Sequence, residues 1–343
     1  MKIEQKGLDK IKKIYNLFAD NKSKYIFKNR LMFNLFDENE YIRNIIKTNR
    51  VAADFLDKLL NENDPVVVWG VGIRAHKFRL FYPEVEVMCY IDSNKHGETY
   101  NGIEIISFEE YLNRGLNTKI VILPRFSHKE IEHEIKQAGI KEHNILNFAK
   151  IMDYLYEVQY FDLPQIKEVK YFIDGGAYDG ADTLKFAKNF RGGVSQIWEP
   201  NKCMIEHITK KLENQQVAYE IINAGMSNEE SFALSYDKKD EQSAFSLQAA
   251  LNGNIKLDYI DNHMKEKVSM IKMDIEGFEY RALVGAKQTI SLFQPYLAIC
   301  VYHKQEDIWK IPELIYSICP RYKFYLRHYS LFPNETVLYA IIS

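Results

Sequence analysis

The stretch FIDGGAYDGADT (172–183) constrains the fold of this chain most, because an apolar run leads directly into three glycines and three aspartates. Gly175 and Gly176 permit a sharp turn that can approach a ligand closely, and Gly180 lets the following helix pack on the strand. The amides at the helix start attract an anionic group, whereas Asp174 could hold a cationic amino group. The stretch therefore predicts a strand, a ligand-binding turn and a helix.

Apolar, strand-like runs alternate with helical segments along most of the chain. This alternation predicts α/β structure with parallel sheets. It starts at NENDPVVVWGVGIRA, continues through VEVMCYIDS and KIVILPR, and restarts with KYFIDGG, SQIWEP, YEIINAG, VSMIKMD and YLAICVYH. The last two runs, YKFYLRHYS and TVLYAIIS, flank FPNE, which suits a hairpin. The second series should thus form a seven-stranded sheet with an antiparallel strand at the chain end.

Changes in this pattern divide the chain into three parts. Residues 1–60 carry helical periodicity, without glycine or proline after Gly7. We expect a helical segment there, a small Rossmann-like domain at 61–150, and the seven-stranded domain at 151–343.

Composition and charge exclude several classes of partner. Lys and Arg number 45 against 47 acidic residues, so no positive field favours nucleic acid. The four cysteines lack CxxC spacing, which predicts reduced thiols and a cytoplasmic location. No stretch approaches the roughly 18 consecutive apolar residues of a membrane span. The sequence does not indicate an oligomeric state.

Polar residues end every strand that should face the ligand crevice of the second sheet. They are Asp174, Glu199, Asn223, the pair Asp274 and Glu276, and His303. The sequence distance from Asp174 to Glu199 is close to about 20 residues. This is the distance at which an acid after the second strand binds ribose hydroxyls. A ligand that places an amino-acid group at the first turn and a ribose at the second matches S-adenosylmethionine. The alternative is a packing turn beside a solvated glutamate.

Four segments resemble the successive signatures of FkbM-type methyltransferases. They are FIDGGAYDGADT, WEPN, IKMDIEGFEYRALVGA and QPYLAICVYH, and the resemblance covers about residues 165–343. It implies transfer of a methyl group from S-adenosylmethionine, typically to a hydroxyl oxygen. It also implies cofactor contacts at Asp174, Gly176, Gly180 and Glu199, adenine near Asn223, and an active site at Asp274 and Glu276. Family members often carry asparagine in the glycine turn, where this chain has Tyr178 and Asp179.

A base must accept the hydroxyl proton as the methyl group is transferred. Lys272, Asp274 and Glu276 are spaced by two, so they share a face while the strand continues, and Lys272 could keep its neighbours ionised. They could equally form a structural ion pair at the strand end. His303 could accept a proton or serve as a structural residue, and His328 is a weaker candidate. The two acids and His303 could hold magnesium, but the chemistry needs no ion, so we predict no metal site.

Two further segments leave alternatives open. The polar stretch from Ser227 to Gln248 could form a substrate lid or a structural hairpin. WGVGIRA has a GxGxxA arrangement after a strand, with Asp92 at the next strand end, and by spacing alone it could bind a dinucleotide. The small domain also resembles Rossmann-like domains that precede sugar-modifying enzymes.

The sequence as a whole predicts an α/β O-methyltransferase that uses S-adenosylmethionine. It combines a Rossmann-like seven-stranded methyltransferase sheet with a smaller Rossmann-like domain and a helical segment. The acceptor is expected to be a small molecule or glycan precursor with a free hydroxyl, such as a sugar. One alternative is an NAD-dependent sugar-nucleotide oxidoreductase that uses the turn at Gly70, and another is a non-catalytic cofactor-binding scaffold.

Overall fold

The computed structural model describes residues 2–60, 64–213, 215–237, 245–249, 253–264 and 267–342. Two compact units divide the chain. The larger comprises residues 1–38, 158–328 and 333–343, and the smaller comprises residues 39–157 and 329–332. The helices of the segment 1–60 are therefore divided between both units. Among the described residues, no helix has the length and apolar character to cross a membrane.

The first two helices, α1 (Lys2–Leu17) and α2 (Asn21–Phe36), belong to the larger unit. Asp20 caps α2 by accepting from Ser23 N at 2.6 Å, and its other oxygen binds Arg327 at 2.8 Å. The Ser23 hydroxyl in turn accepts from Leu326 N at 2.9 Å. These contacts attach α2 to a late strand, which helical periodicity alone did not reveal.

The smaller unit is a parallel α/β sheet with one antiparallel edge. Its elements are α3 (Asn39–Ile46), α4 (Arg50–Leu60), β1 (Val66–Trp69), α5 (Ile73–Phe81), β2 (Val87–Ile91), β3 (Thr99–Tyr100), β4 (Ile103–Ile106), α6 (Phe108–Asn113), β5 (Lys119–Ile122), α7 (His128–Gln137), β6 (Ile145–Asn147) and α8 (Phe148–Val158). The strand order is β3-β4-β2-β1-β5-β6, and only the β3–β4 pair is antiparallel. Continuous apolar runs form β1 and β5 because both faces of these strands are buried. The prediction of a small Rossmann-like sheet is confirmed.

The larger unit contains the second predicted sheet. Its further elements are β7 (Tyr171–Gly175), α9 (Ala181–Asn189), β8 (Val194–Trp198), α10 (Lys202–Leu212), β9 (Ala218–Ile222), β10 (Gly225–Met226), β11 (Ser231–Asp237), β12 (Phe245–Ala249), β13 (Ile255–Asp258), β14 (Met270–Met273), α11 (Glu279–Val284), α12 (Lys287–Phe293), β15 (Tyr296–Cys300), α13 (Asp307–Ile318), β16 (Tyr322–His328) and β17 (Thr336–Ile342). Seven strands follow the order β16-β17-β15-β14-β7-β8-β9. The last strand, β17, is antiparallel to both β15 and β16, as predicted.

From the strand order, we expect the ligand crevice of this sheet at β7. The chain proceeds outward from β7 through β8 and β9 on one side, and through β14 and β15 on the other. Parallel sheets bind ligands outside the carboxyl ends of strands where the order reverses. β7 is buried along its whole length, and Phe172 stacks on Phe186 of α9 with ring centroids 4.8 Å apart. This packing fixes the strand that carries the glycine turn.

The polar insertion joins a separate four-stranded sheet of order β10-β13-β11-β12. β11 pairs antiparallel with both β12 and β13, so its pairing with β12 is that of a hairpin. This pairing agrees with the hairpin alternative for Ser227 to Gln248, and a role of the segment as a substrate lid stays a prediction. The link at 238–244 lies outside the described residues.

Candidate functional site

The glycine turn after β7 is tight because another backbone segment passes close to it. Gly176 has φ +72°, and a Cβ there would overlap the carbonyl oxygen of Asp274. A Cβ at Gly175 would lie 2.7 Å from the Met226 sulfur, and one at Gly180 would lie 3.3 Å from Ile208 of α10. Close backbone and side-chain packing therefore already explains why glycine occupies these positions.

Asp174 is fully buried, and both of its carboxylate oxygens are engaged within the protein. Lys272 Nζ lies 3.0 Å from one oxygen, and the Thr183 hydroxyl donates to the other at 2.8 Å. Lys272 also donates to Gly176 O at 3.0 Å and lies 3.2 Å from Asp182. Asp174 thus stabilises the turn from inside, which differs from the expected contact with a cofactor amino group.

The ion pairs of Lys272 likewise differ from those that the sequence led us to expect. Its ammonium group pairs with Asp174 and Asp182, not with the two acids that follow it in the chain. Burial lowers the pKa of Lys272, but these carboxylates outweigh it and raise the pKa well above its usual value. The strand ends at Met273, and Glu276 has φ +54°, so the expected shared face does not extend that far.

The start of α9 is occupied by acidic side chains of the protein itself. Asp179 accepts from Ala181 N at 3.1 Å, and its other oxygen lies 2.7 Å from Lys211 Nζ. Asp182 in the first turn pairs with Lys185 at 2.7 Å. The helix amides that were expected to bind a ligand carboxylate are therefore partly satisfied already.

Glu199 follows β8 directly, and its carboxylate contacts the glycine turn. One carboxylate oxygen accepts from Tyr178 N at 3.0 Å, and the other accepts from Asn201 N at 2.8 Å. Each oxygen keeps a second lone pair for a hydroxyl donor. Only 6% of Glu199 is exposed, and burial raises its pKa to about 7 although the two backbone amides lower it. Exposed Asn223 closes the neighbouring loop by donating to the carbonyls of Glu199 and Pro200 at 3.0 and 3.1 Å.

Asp274, just after β14, accepts hydrogen bonds from two tyrosines. The Tyr160 hydroxyl donates to Oδ2 and the Tyr302 hydroxyl donates to Oδ1, both at 3.1 Å. The Tyr302 hydroxyl also lies 3.4 Å from Glu335, where burial and then Asp274 raise the carboxyl pKa to about 7. Asp274 is therefore the centre of a polar cluster at the carboxyl edge of the sheet.

His303 lies between three acidic side chains that are distant from it in the sequence. Its Nε2 is 3.4 Å from Asp274 Oδ1 and 3.8 Å from Glu276 Oε2, while its Nδ1 is 2.8 Å from Glu279 Oε1. Burial lowers the pKa of His303, but Glu279 and then the other two acids raise it to about 9. This shift favours the charged form of the ring, which has no free nitrogen to accept a proton. A role of His303 as the base therefore stays a prediction.

Sequence reasoning missed Glu279, Tyr160, Tyr302 and Glu335. Glu279 lies within the IKMDIEGFE segment and is fully buried, which makes it the most recoverable of the four. Glu335 belongs to the FPNE turn, whose glutamate gave no chemical signal. The other histidine candidate, His328, ends β16 and lies 2.9 Å from the Thr336 hydroxyl across the β16–β17 pair.

The glycine turn of the smaller unit has its own geometry. Gly70 has φ +99°, and a Cβ there would lie 2.9 Å from Pro124 Cγ. Asp92 accepts from Val71 N at 3.4 Å and from Asn94 N at 3.0 Å. Close packing against Pro124 therefore accounts for Gly70.

The family models that match this chain identify a methyltransferase domain in its C-terminal region. Residues 174–326 match the family model described as "Methyltransferase FkbM domain", and residues 62–146 match the model described as "C2185-like, N-terminal". The C-terminal region is therefore an FkbM methyltransferase domain, as the sequence resemblance indicated, and it is preceded by a second domain. The comparison with curated proteins gave no match.

The comparison with solved structures gave matches to methyltransferases. The methyltransferase FkbM from Methylobacillus flagellatus KT is 19% identical, covering 84% of this chain and 93% of that one, with a TM-score of 0.49. Aeropyrum pernix fibrillarin, solved with natively bound S-adenosyl-L-methionine, is 11% identical over 53% of this chain and 70% of that one, with a TM-score of 0.34. The assignment of residues 174–326 to an FkbM methyltransferase domain rests on the family model.

Proposed function

We propose that the protein uses S-adenosylmethionine to methylate a hydroxyl oxygen of a sugar or glycan precursor. The observation that supports this most is Glu199, whose buried carboxylate closes on the glycine turn and retains acceptor capacity on both oxygens. A ribose diol offers two hydroxyl donors, and an acceptor-only carboxylate matches them. Asn223, at the next strand end, would lie near the adenine.

The described residues fit the ribose end of this cofactor better than its methionine end. Asp174 has no exposed surface and is paired with Lys272, and the first amide of α9 already donates to Asp179. We therefore assign Asp174, Gly175, Gly176 and Gly180 to shaping the turn, and Glu199 to holding the cofactor. When bound, S-adenosylmethionine supplies an electrophilic methyl group.

Asp274 and Glu276 are proposed to act on the acceptor. The two tyrosine hydroxyls hold the Asp274 carboxylate in one orientation, so it can position an acceptor hydroxyl. The Glu276 side chain is 32% exposed and can receive the hydroxyl proton. The imidazolium of His303 lies close to both acids and offsets their charge. A hydroxyl acceptor follows from the family resemblance, and a cytoplasmic location follows from the cysteine spacing.

A transfer assay tests this proposal. Purified protein is incubated with methyl-labelled S-adenosylmethionine and a panel of sugars and sugar nucleotides, with amine and thiol acceptors as parallel arms. Asp274→Asn and Glu276→Gln should each lower turnover by about 10²- to 10⁴-fold while retaining S-adenosylhomocysteine binding. Glu206→Gln, at an exposed acid on α10, is the matched control. Transfer only to amines or thiols, or full turnover in both variants, would contradict the proposed chemistry.

A further inference from the structure

A groove on the surface of the smaller unit lies between α7 and the first turn of α8. Its volume of about 350 Å³ falls in the range of small-molecule sites. The residues that α7 contributes recur every three or four positions and so share one helix face. The groove is lined by His128, Lys129, Glu132, His133, Lys136 and Lys150. It is therefore built within one unit, from two helices that follow adjacent strands.

Two buried polar side chains support the groove, since only 3% of His128 and 7% of Asn147 are exposed. Asn147 Oδ1 accepts from Lys150 N at 2.9 Å, which fixes the orientation of the amide. Its Nδ2 donates to Glu132 at 2.6 Å and lies 3.2 Å from His128 Nδ1. Because the amide nitrogen is a donor, Nδ1 accepts, and His128 Nε2 donates to Asp153 at 3.0 Å. The polar lining is thus held in place before any ligand binds.

Glu132 holds two of the lysines at the groove. Its Oε1 lies 2.7 Å from Lys136 Nζ and 3.8 Å from Lys150 Nζ. Burial raises the pKa of Glu132, but hydrogen bonds from Lys136 and Asn147 outweigh it and lower the pKa below its usual value. The carboxylate is therefore ionised at neutral pH. One negative charge anchors two ammonium groups.

Positive charge exceeds negative charge in the groove. Three lysines and one glutamate give the lining a formal charge of +2 with neutral histidines, although the whole chain carries −2. Within the part of the chain that the structure describes, neither Lys129 nor His133 forms a hydrogen bond or an ion pair. Lys136 also lies 3.8 Å from Glu142, but that side chain is 89% exposed, so water screens the pair. The excess positive charge favours an anionic ligand.

We propose that this groove binds the phosphate groups of a small ligand, as a phosphomonoester or a diphosphate. Each ammonium group has three donors, so Lys136 and Lys150 can donate to a ligand while Glu132 holds them. Lys129 lies two turns from Lys136 on the same helix face and adds a third cation. Three such point charges match an anion with several charged oxygens better than a single carboxylate. The inference is independent of the proposed methyl transfer.

Isothermal titration calorimetry of the full-length protein with inorganic phosphate, diphosphate, glucose 1-phosphate and UDP tests the groove. Uridine and glucose are the phosphate-free controls. We expect one diphosphate or UDP to bind per chain, with the tighter of UDP and glucose 1-phosphate identifying the source of the phosphate. Lys129→Gln and Lys150→Gln should each weaken binding about tenfold, and the double variant about 100-fold. Lys95→Gln, at an exposed lysine between β2 and β3, should bind as the unchanged protein does.

Three outcomes would overturn the inference: no binding of any phosphate compound, equal binding of uridine and UDP, or equal binding by the double variant and Lys95→Gln. Lys129 and Lys150 are exposed, so the variants should fold, and circular dichroism checks this.

S-adenosylhomocysteine is titrated into the same samples, and the double variant should bind it unchanged. Displacement of diphosphate by S-adenosylhomocysteine would also overturn the groove, because it would place the phosphate at the cofactor site. S-adenosylhomocysteine binding without phosphate binding would refute the groove alone, whereas the reverse result would refute the cofactor assignment alone.

Discussion

The affinity of the protein for S-adenosylhomocysteine should depend on pH through Glu199. Burial raises the pKa of this carboxyl to about 7 in the free protein. Only the ionised form offers acceptors on both oxygens, since a protonated carboxyl becomes a donor. Ligand binding therefore favours loss of the proton, and affinity should fall as the pH is lowered through 7.

The size of this effect follows from the ionised fraction. With a pKa of about 7, that fraction is about 0.9 at pH 8 and about 0.1 at pH 6. The dissociation constant should thus increase roughly tenfold between pH 8 and pH 6, or about 1.4 kcal/mol in binding free energy. Isothermal titration calorimetry at half-unit pH intervals and constant ionic strength measures the slope.

Glu199→Gln separates this carboxyl from other groups that titrate near neutrality, such as Glu335 and Asp307. The variant keeps the size of the side chain, so it should bind about 1.5 to 3 kcal/mol more weakly at pH 8 and show little pH dependence. Glu206→Gln should retain the parent slope. A flat profile in the parent, or the same slope in Glu199→Gln, would refute the ribose assignment.

Two further substitutions, each with a matched control, test the architecture beneath the site. Gly176→Ala should lower the free energy of unfolding in urea by more than about 3 kcal/mol, because the new Cβ overlaps the Asp274 carbonyl oxygen. Its control is Gly192→Ala, where φ is similar but the space around the new Cβ is open. This variant should lose only about 1 kcal/mol. Lys272→Met should cost about 3 to 5 kcal/mol because it leaves the buried Asp174 carboxylate without the ammonium group that pairs with it. Lys310→Met, at an exposed helix pair, should cost less than about 0.5 kcal/mol. Equal losses within either matched pair would contradict the respective account.

The sequence predicted the sheets because buried parallel strands appear as short apolar runs. It placed all seven strands of the larger sheet, and it placed polar residues at their carboxyl ends. The edge that carries Glu199, Asn223 and Asp274 was therefore predictable, since parallel strands end at the same side of a sheet.

The roles of individual side chains were harder to predict because they depend on register and burial. Lys272 faces Asp174 because the β7–β14 register pairs these two positions, which are far apart in sequence. The high pKa of His303 depends on Glu279, which a strand-based argument did not consider. Tyr160 precedes the first strand of the sheet, and no local pattern connects it with Asp274. Such pairings require the assembled fold.

Calorimetric titration of the purified protein with S-adenosylhomocysteine, with NAD and a UDP-sugar as parallel ligands, tests the central claim most directly. We predict saturable binding of one S-adenosylhomocysteine per chain, weakened by Glu199→Gln and unchanged by Glu206→Gln. An absence of S-adenosylhomocysteine binding, together with saturable NAD binding, would contradict the account and favour the turn at Gly70 as the active site.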